Sequence, residues 1–469
     1  MFFRATRHAA NDLFASGLIS AHVNEKHLQL NDISISGISL VDSKTPEIWD
    51  ACIGDIVELR LSLPDGVIFR ADAEIVRTEM FPGSCKIGLS FVNASPDLSL
   101  LAAQDEEARL ISSLESEPAL GPDLVPAAYK AVCADVLHLL NWQRELIEAF
   151  EKRVAGQDAS GETIETAYQA VEERVLARWR VLWQRGEDLV RDMSQDSPEF
   201  QATKQYTEQV ITPAFMAGPV WNRSYLKPRG YPGDYAIMKM VYAWAREGES
   251  LADRLVHRIG LEVAECIATR MILVQQAIAA AIEKFGIDGT AQIASLGCGP
   301  AKEIENVMSA TRLSGKVHFT LIDQDLEALE DTYGRLMPMA AQTAGQADIS
   351  VLRETFVEIV RGGVAEGQLE GQHLIYTVGL VDYLRDTMAR GLVTKLYNQL
   401  APGGTLIIGN MAASDLSNYW PMEFITDWRV LYREREDMTR MAANCDGAEI
   451  EVRKESTGRV WMLYVRKPG

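Results

Sequence analysis

Hydrophobic and polar positions follow three successive patterns along the chain. Over residues 1–95 apolar positions come in short, partly alternating runs. Asp55 to Leu63 carries Ile56, Val57, Leu59, Leu61 and Leu63. Pro64-Asp65-Gly66 is a turn signal, and Val67 to Val76 resumes the extended pattern. Pro82-Gly83-Ser84 is a second turn, ahead of Lys86 to Val92. His27 to Leu40 is a further extended segment, which the pair Asn31-Asp32 is expected to break. Short strands at this spacing predict a small β-barrel.

Over residues 96–285 the period changes to that of a helix. Tyr129, Val132, Val136, Leu139, Leu140, Trp142, Leu146 and Phe150 recur at helical spacing across Ala127 to Val154. Glu162 to Trp183 and Ala252 to Phe285 continue in that style. Lys227-Pro-Arg-Gly-Tyr-Pro-Gly-Asp-Tyr235 interrupts it. Two prolines and two glycines in nine residues exclude a helix interior and predict an irregular loop.

Over residues 286–469 strands alternate with helices. The strands are expected at Gln292 to Leu296, Val317 to Ile322, Ile349 to Leu352, His373 to Val378, Thr405 to Ile408 and Val460 to Arg466. Helices are expected at Ala301 to Ala310 and Leu326 to Met337. Such alternation predicts a mostly parallel sheet covered on both faces. The fold class is therefore a multidomain chain: an N-terminal β-barrel (1–95), a central helical region (96–285) and a C-terminal α/β Rossmann-like domain (286–469).

Composition narrows the function. The net charge of −20 and the lack of a Lys/Arg cluster disfavour a nucleic-acid substrate. Six scattered cysteines without a CxxC pair read as free thiols of a reducing cytosol, not as a disulfide framework or a zinc site. No apolar run is expected to span a membrane, no secretory signal is recognisable at the start, and a cytoplasmic location is expected.

The strongest chemical signal is Ala294-Ser-Leu-Gly-Cys-Gly-Pro-Ala-Lys-Glu303. A buried strand runs into Gly297-x-Gly299 and then into a helix. Glycines there let a ligand approach the backbone at the carboxyl end of the strand. Asp323 ends the next strand, 24 residues after Gly299, where a carboxylate can accept both hydroxyls of a ribose. A nicotinamide dinucleotide uses the same arrangement, but the third glycine of its fingerprint would fall at Lys302. Cys298 reads as a small packing residue in the turn and His373 as a satisfied structural histidine.

The run Leu-Gly-Cys-Gly-Pro-Ala-x-Glu, together with Leu400-Ala-Pro-Gly-Gly-Thr-Leu-Ile-Ile408, resembles class I S-adenosylmethionine (SAM) methyltransferases over residues 290–466. The resemblance implies SAM as cofactor, held by Gly297, Cys298, Gly299, Glu303, Asp323 and Gln324. Three further blocks are Lys227 to Tyr235, Tyr376-Thr-Val-Gly-Leu-Val-Asp-Tyr-Leu384 and Met422-Glu-Phe-Ile-Thr-Asp-Trp-Arg429. They resemble bacterial methyltransferases of 3-hydroxypalmitic acid methyl ester biosynthesis. That implies methyl transfer to a fatty acid carboxylate.

A carboxylate is already ionised at neutral pH, so such an enzyme needs no general base. It must desolvate the acceptor and align it. Arg229 offers a bidentate fork for a carboxylate, and Tyr231 and Tyr235 offer hydroxyls. Asp382 and Tyr383 follow the fourth strand on the expected acceptor side. The alternative is that Arg229 and Asp234 pair to shape the loop while the tyrosines pack.

At the N-terminus, Asp32-Ile-Ser-Ile-Ser-Gly37, Gly54-Asp-Ile-Val-Glu-Leu and Ile87-Gly-Leu-Ser-Phe91 resemble a PilZ domain. Many PilZ domains bind cyclic di-GMP through an RxxxR arm and a DxSxxG strand. The strand is intact here, with Asp32, Ser34 and Gly37, whereas Arg4 and Arg7 are one position too close for the arm. The other reading is a barrel that only packs or joins a homodimer. Three functions follow: methylation of a small or lipidic carboxylate, methylation of nitrogen or oxygen in another small molecule, or ligand sensing by the barrel beside a regulatory methyltransferase fold.

Overall fold

The structure, a computed structural model, describes residues 7–14, 16–24, 26–42, 52–81, 84–115, 124–154, 161–309, 313–361, 363, 365–414 and 417–469. The chain divides into two compact units, 1–119 and 120–469.

The first unit holds strands β1 (His8–Ala9), β2 (Ser20–Val23), β3 (Lys26–Ser34), β4 (Gly37–Asp42), β5 (Ile56–Leu63), β6 (Gly66–Phe81) and β7 (Ser84–Phe91). Helices α1 (Ala10–Leu13) and α2 (Leu98–Glu115) belong to the same unit. The order β3-β2-β5-β6-β7-β4, closed by the β3–β4 pairing, makes a six-stranded barrel, with β1 paired on β3. The alternation in β5 buries Val57, Leu59 and Leu61 and leaves Ile56 outside. Asn31-Asp32 does not break the chain. Both residues lie inside β3, which absorbs them by a register shift between Leu30 and Asp32. The reversal comes at Ile35-Ser36 instead. The Asn31 amide, which suggested a turn, donates to Ser39 Oγ at 2.9 Å.

In the second unit, α3 (Ala127–Val154), α4 (Gly161–Val190), α5 (Pro198–Val210), α6 (Thr212–Phe215), α7 (Pro219–Leu226), α8 (Tyr235–Ala243) and α9 (Leu251–Phe285) precede the sheet. The sheet comprises β8 (Thr290–Leu296), β9 (Lys316–Asp323), β10 (Ala347–Arg353), β11 (Gln372–Thr377), β12 (Leu400–Met411), β13 (Glu449–Lys454) and β14 (Val460–Arg466). Between the strands lie α10 (Lys302–Ser309), α11 (Leu326–Gln342), α12 (Phe356–Arg361), α13 (Ala365–Gln368), α14 (Asp386–Asn398) and α15 (Arg435–Met441). The strand order is β10-β9-β8-β11-β12-β14-β13. The first five strands are parallel, and β14 runs antiparallel to both β12 and β13. This is a Rossmann-like fold, and its order reverses between β8 and β11. A crevice opens there above the strand ends.

The helical region is not a unit of its own. One apolar core joins Tyr129, Trp179 and Trp183 of the helices to Phe319, Leu374 and Tyr464 of the sheet. The opposite face of the sheet is covered by α14 and α15, where Leu392, Leu396 and Met438 meet Ile375 and Ile408. At its start, α9 carries a capping box: Ser250 Oγ accepts from Asp253 N at 3.1 Å, and Asp253 Oδ2 accepts from Ser250 N at 3.2 Å. Among the described residues, α9 is also the one helix long and apolar enough to cross a membrane. Here its buried face, from Leu255 and Ile259 to Ile278 and Ile282, belongs to the shared core.

Candidate functional site

Above the switch point lies a cavity of about 330 Å³. The glycine turn after β8 forms its floor. Gly297 and Gly299 adopt φ of 64° and 50°, in the left-handed region that favours glycine. Added at Gly299, a Cβ would meet nothing within 4 Å, and at Gly297 it would find only Leu380 Cβ at 3.9 Å. The turn is fixed from outside. Gly297 N donates to Ile322 O at 2.8 Å, and Thr332 Oγ1 donates to Gly299 O at 2.8 Å. Cys298 is buried, and burial pushes its thiol up, which suits packing and not nucleophilic chemistry. His373 is likewise structural: its Nδ1 accepts from Gln292 N at 2.9 Å and its ring stacks on Phe285.

Asp323 stands at the end of β9 on the cavity wall. Its two oxygens accept from Gly299 N at 2.9 Å and Asp325 N at 3.0 Å. Each oxygen keeps a second lone pair. Burial raises its pKa, and these backbone donors oppose the rise. Glu303, in the first turn of α10, is buried and accepts from Tyr376 Oη at 2.7 Å. Burial raises its pKa as well. Gln324 lines the same wall, and its carbonyl accepts from Arg353 Nε at 3.2 Å.

The other half of the cavity is aromatic. Tyr231, Tyr235, Tyr242, Tyr383 and Trp428 line it. The loop before α8 reaches it because Gly233, with φ of 71°, lies against the Trp428 indole; a Cβ there would stand 2.3 Å from that ring. Trp428 Nε1 in turn donates to Tyr383 Oη at 2.8 Å. Lys227, the left-handed cap of α7, ties the loop to Asp427 through Oδ2 at 2.6 Å. A single π-helical turn, Trp420–Ile425, precedes this segment and brings Met422 to the cavity.

Arg229 is placed differently from the sequence-based expectation. It is not among the cavity-lining residues. Its fork grips the Asp325 carboxylate and its remaining nitrogen reaches Glu327, both at the start of α11. Tyr231 Oη donates to the same Asp325 at 2.9 Å. Nor does Asp234 pair with Arg229. It takes both bonds of Arg223 Nε at 2.9 Å and caps α8 through Ala236 N and Ile237 N. The helix cap and the nearer guanidinium on α7 satisfy Asp234, so Arg229 is left for the acidic start of α11.

Asp382 lies in a short helical turn after β11 and is buried on the cavity wall. Its Oδ1 accepts from Met411 N at 2.6 Å. Burial raises its pKa to about 6, against the pull of Arg270. Arg270, on α9, was not anticipated, although the sequence carried a signal: it interrupts the buried apolar stripe Ile267, Val274, Ile278.

In the first unit, the motif residues are engaged internally. Asp32 accepts from Arg7 Nη1 at 2.5 Å, Ser39 Oγ at 2.7 Å and Asn31 Nδ2 at 2.7 Å. Burial works to raise its pKa, but these donors hold it below the usual range. Ser34 Oγ donates to Gly37 O at 3.1 Å. Gly37 is required by packing, since a Cβ would stand 2.4 Å from Leu89 O. Arg4 lies outside the described residues.

Residues 9–104 match the PilZ domain family. The barrel is therefore a PilZ domain, and its match extends into α2. No curated protein matches the chain. Among solved structures, the chain is similar to a possible exported protein from Bordetella parapertussis, with 15% identity and a TM-score of 0.39 over 64% of this chain and 97% of that one. It is similar to magnesium protoporphyrin IX methyltransferase from Synechocystis PCC 6803, solved with bound SAH, at 10% identity and a TM-score of 0.35 over 52% and 98%. A third is the N-methyltransferase NodS from Bradyrhizobium japonicum, at 16% identity and a TM-score of 0.28 over 44% and 98%.

Proposed function

We propose that the chain is a SAM-dependent methyltransferase that methylates the carboxylate of a small apolar acid, a fatty acid such as a 3-hydroxy fatty acid. The observation that carries this reading is the cavity at the switch point. One half is a glycine turn opening on free space beside a strand-end carboxylate; the other half is aromatic and, among the described residues, has neither histidine nor lysine in its lining.

The residues fit the cofactor. The space over Gly297 and Gly299 is what a side chain would otherwise fill, and Asp323 has lone pairs to spare for ribose hydroxyls. Cys298, Glu303 and Gln324 complete that half. When bound, SAM supplies an electrophilic methyl on a sulfonium. Everything else falls to the protein. An acceptor that arrives ionised needs no proton removed, which suits a cavity whose described lining holds no histidine or lysine base. The roof formed by Gly233, Trp428 and Tyr383 excludes water from the reacting oxygen. Tyr231 and Tyr235 flank the acceptor. Arg229 closes the loop over them by gripping Asp325, so its role is a latch and not a substrate fork.

Titration of SAM and of its demethylated product into the full chain tests the cofactor half; no binding overturns the reading. Incubation with labelled SAM and a bacterial lipid extract, followed by mass spectrometry, tests the acceptor. Labelled methyl esters are expected. A second reading rests on Asp382: with a pKa near 6, a carboxylate on the cavity wall can take a proton from a hydroxyl or amine acceptor. Under that reading the rate at saturating acceptor falls at low pH with the titration of Asp382. Under the carboxylate reading it does not.

For the PilZ domain we propose weak or no binding of cyclic di-GMP, with the barrel serving packing or homodimer contacts. Asp32 already holds Arg7, and Gly37 is accounted for by the fit against β7.

A further inference from the structure

Arg270 is the one lysine or arginine among the described residues lining the cavity. It projects from α9, and its side chain is only 7% exposed. A guanidinium has five N–H donors, and burying it unmatched is costly. Yet its Nε has no hydrogen-bond partner. Its ion-pair partner Asp382 stands 4.0 Å from Nη1, past hydrogen-bond reach, and spends its other oxygen on Met411 N. Tyr242, on the same wall, adds a hydroxyl beside it.

The backbone makes room for this side chain. Nη2 lies 3.1 Å from where a Cβ of Gly379 would be, just beyond the end of β11. That strand neighbours β8, which ends in the glycine turn. The guanidinium, with its unpartnered Nε, therefore sits across the switch point from the turn, in the acceptor half of the cavity.

The surroundings also define what else the ligand carries. Ile267 lies one helical turn before Arg270, and with Met422 and Trp428 it borders both this cavity and a smaller one. The smaller one is apolar, about 40 Å³, with Val220, Ile237 and Ala264 among its walls. An anionic head at Arg270 thus continues into an apolar path between α7, α8 and α9.

We propose that Arg270 is the anion anchor of the acceptor site: its guanidinium binds the acceptor's carboxylate, and the acceptor's unbranched apolar chain runs past Ile267 toward the smaller cavity. This inference rests on the reading of the site as a methyltransferase, and deepens it by assigning the head and tail of the substrate. Arg229, the more obvious arginine, is excluded from this task by its bonds to Asp325 and Glu327.

The test uses the full chain and three variants, Arg270→Met, Arg270→Lys and Ala264→Leu, with hexanoic, dodecanoic and hexadecanoic acids as probes. Thermal melts establish that each variant is folded. Binding of each acid is measured by tryptophan fluorescence in the presence of the demethylated cofactor, and methyl ester formation is measured separately. In Arg270→Met, acid affinity is expected to fall ~100-fold or more while cofactor affinity stays within ~2-fold. Arg270→Lys recovers part of the loss, because an ammonium supplies charge without the fork. Ala264→Leu weakens hexadecanoic acid and spares hexanoic acid. Unchanged acid affinity in Arg270→Met overturns the proposal, as does a failure of the parent chain to bind any of the acids. The parent reading fails separately. If the chain binds acids through Arg270 but takes up no cofactor, the anchor stands and the methyltransferase assignment falls.

Discussion

Two glycine-containing motifs, one in each unit, look equally like ligand sites in the sequence and behave in opposite ways in the fold. In the barrel, Gly37 exists because β4 passes so close to β7 that a Cβ would strike Leu89 O. Its companions Ser34 and Asp32 are spent on Gly37 O and on Arg7, Ser39 and Asn31. At the end of β8, Gly297 and Gly299 face open space, and the carboxylate beside them keeps acceptor capacity. A motif glycine points to a ligand when its missing side chain leaves a hole, and to packing when its missing side chain is already filled by a neighbour.

Removal of the free carboxylate breaks the comparison most directly. Asp323→Ala is expected to weaken SAM binding by ~100-fold or more, because a charged acceptor of buried hydroxyls contributes about 1.5–3 kcal/mol per bond. Calorimetry on the full chain reads this, and an unchanged affinity removes Asp323 from the proposed cofactor site.

A matched pair of alanines sharpens it next. Gly37→Ala should destabilise the barrel by about 1–3 kcal/mol, the usual cost of overpacking, and leave SAM affinity alone. Gly299→Ala should cost about 1–2 kcal/mol of left-handed strain and also weaken SAM. Denaturant melts with a parallel titration separate the two. If both alanines affect only stability, the contrast between the motifs is lost.

The pH dependence of stability tests the buried carboxylates around the second site. Burial raises Asp382 to about 6 and Glu187 to about 7, despite the bonds Glu187 accepts from Ser417 and Trp420. In the unfolded chain both ionise near the ordinary value of about 4. Between about pH 4 and 7 the folded state thus holds protons that the unfolded state has released, so stability falls as pH rises and levels off above the window. Asp325, Asp331 and Asp427, each held low despite burial by hydrogen bonds from arginine, tyrosine or lysine, lose their contribution only as pH falls below the usual carboxylate range. Urea melts at pH 5 and pH 8 should show the decline, and Glu187→Gln should flatten it. A rise over that window contradicts the assignment.

The smallest effect is expected in the barrel. The Arg7–Asp32 pair has a half-exposed arginine, so Arg7→Ala should change stability by less than ~1 kcal/mol. Titrated cyclic di-GMP should bind weakly or not at all. Submicromolar binding that Arg7→Ala abolishes would make the barrel motif a ligand site after all.

Much of this architecture was readable from periodicity. The Ala127–Val154 helix and the Val460–Arg466 strand have the bounds that their patterns predicted. The turn at Gly297 was legible because its strand, glycines and distal aspartate are ordered along the chain. What escaped depends on contacts between distant positions. Arg229 meets Asp325 across 96 residues, and no local pattern favours that partner over Asp234, five residues away. Glu449–Lys454 is an edge strand of mixed charge whose pairing with β14 supplies the order that its own sequence lacks. Arg270 was visible as a charge in an apolar stripe, but its meaning needed the cavity.

The interior shared by helices and sheet carries one more consequence. From Tyr129 and Trp179 through α9 to Phe319 and Tyr464 there is no seam among the described residues, so the sheet does not separate from the helices as a self-contained domain. Cut loose before β8, it would face water with the very surface that α9 now covers. Reshaping the helical side of the cavity then means exchanging single side chains along a rod roughly 50 Å long.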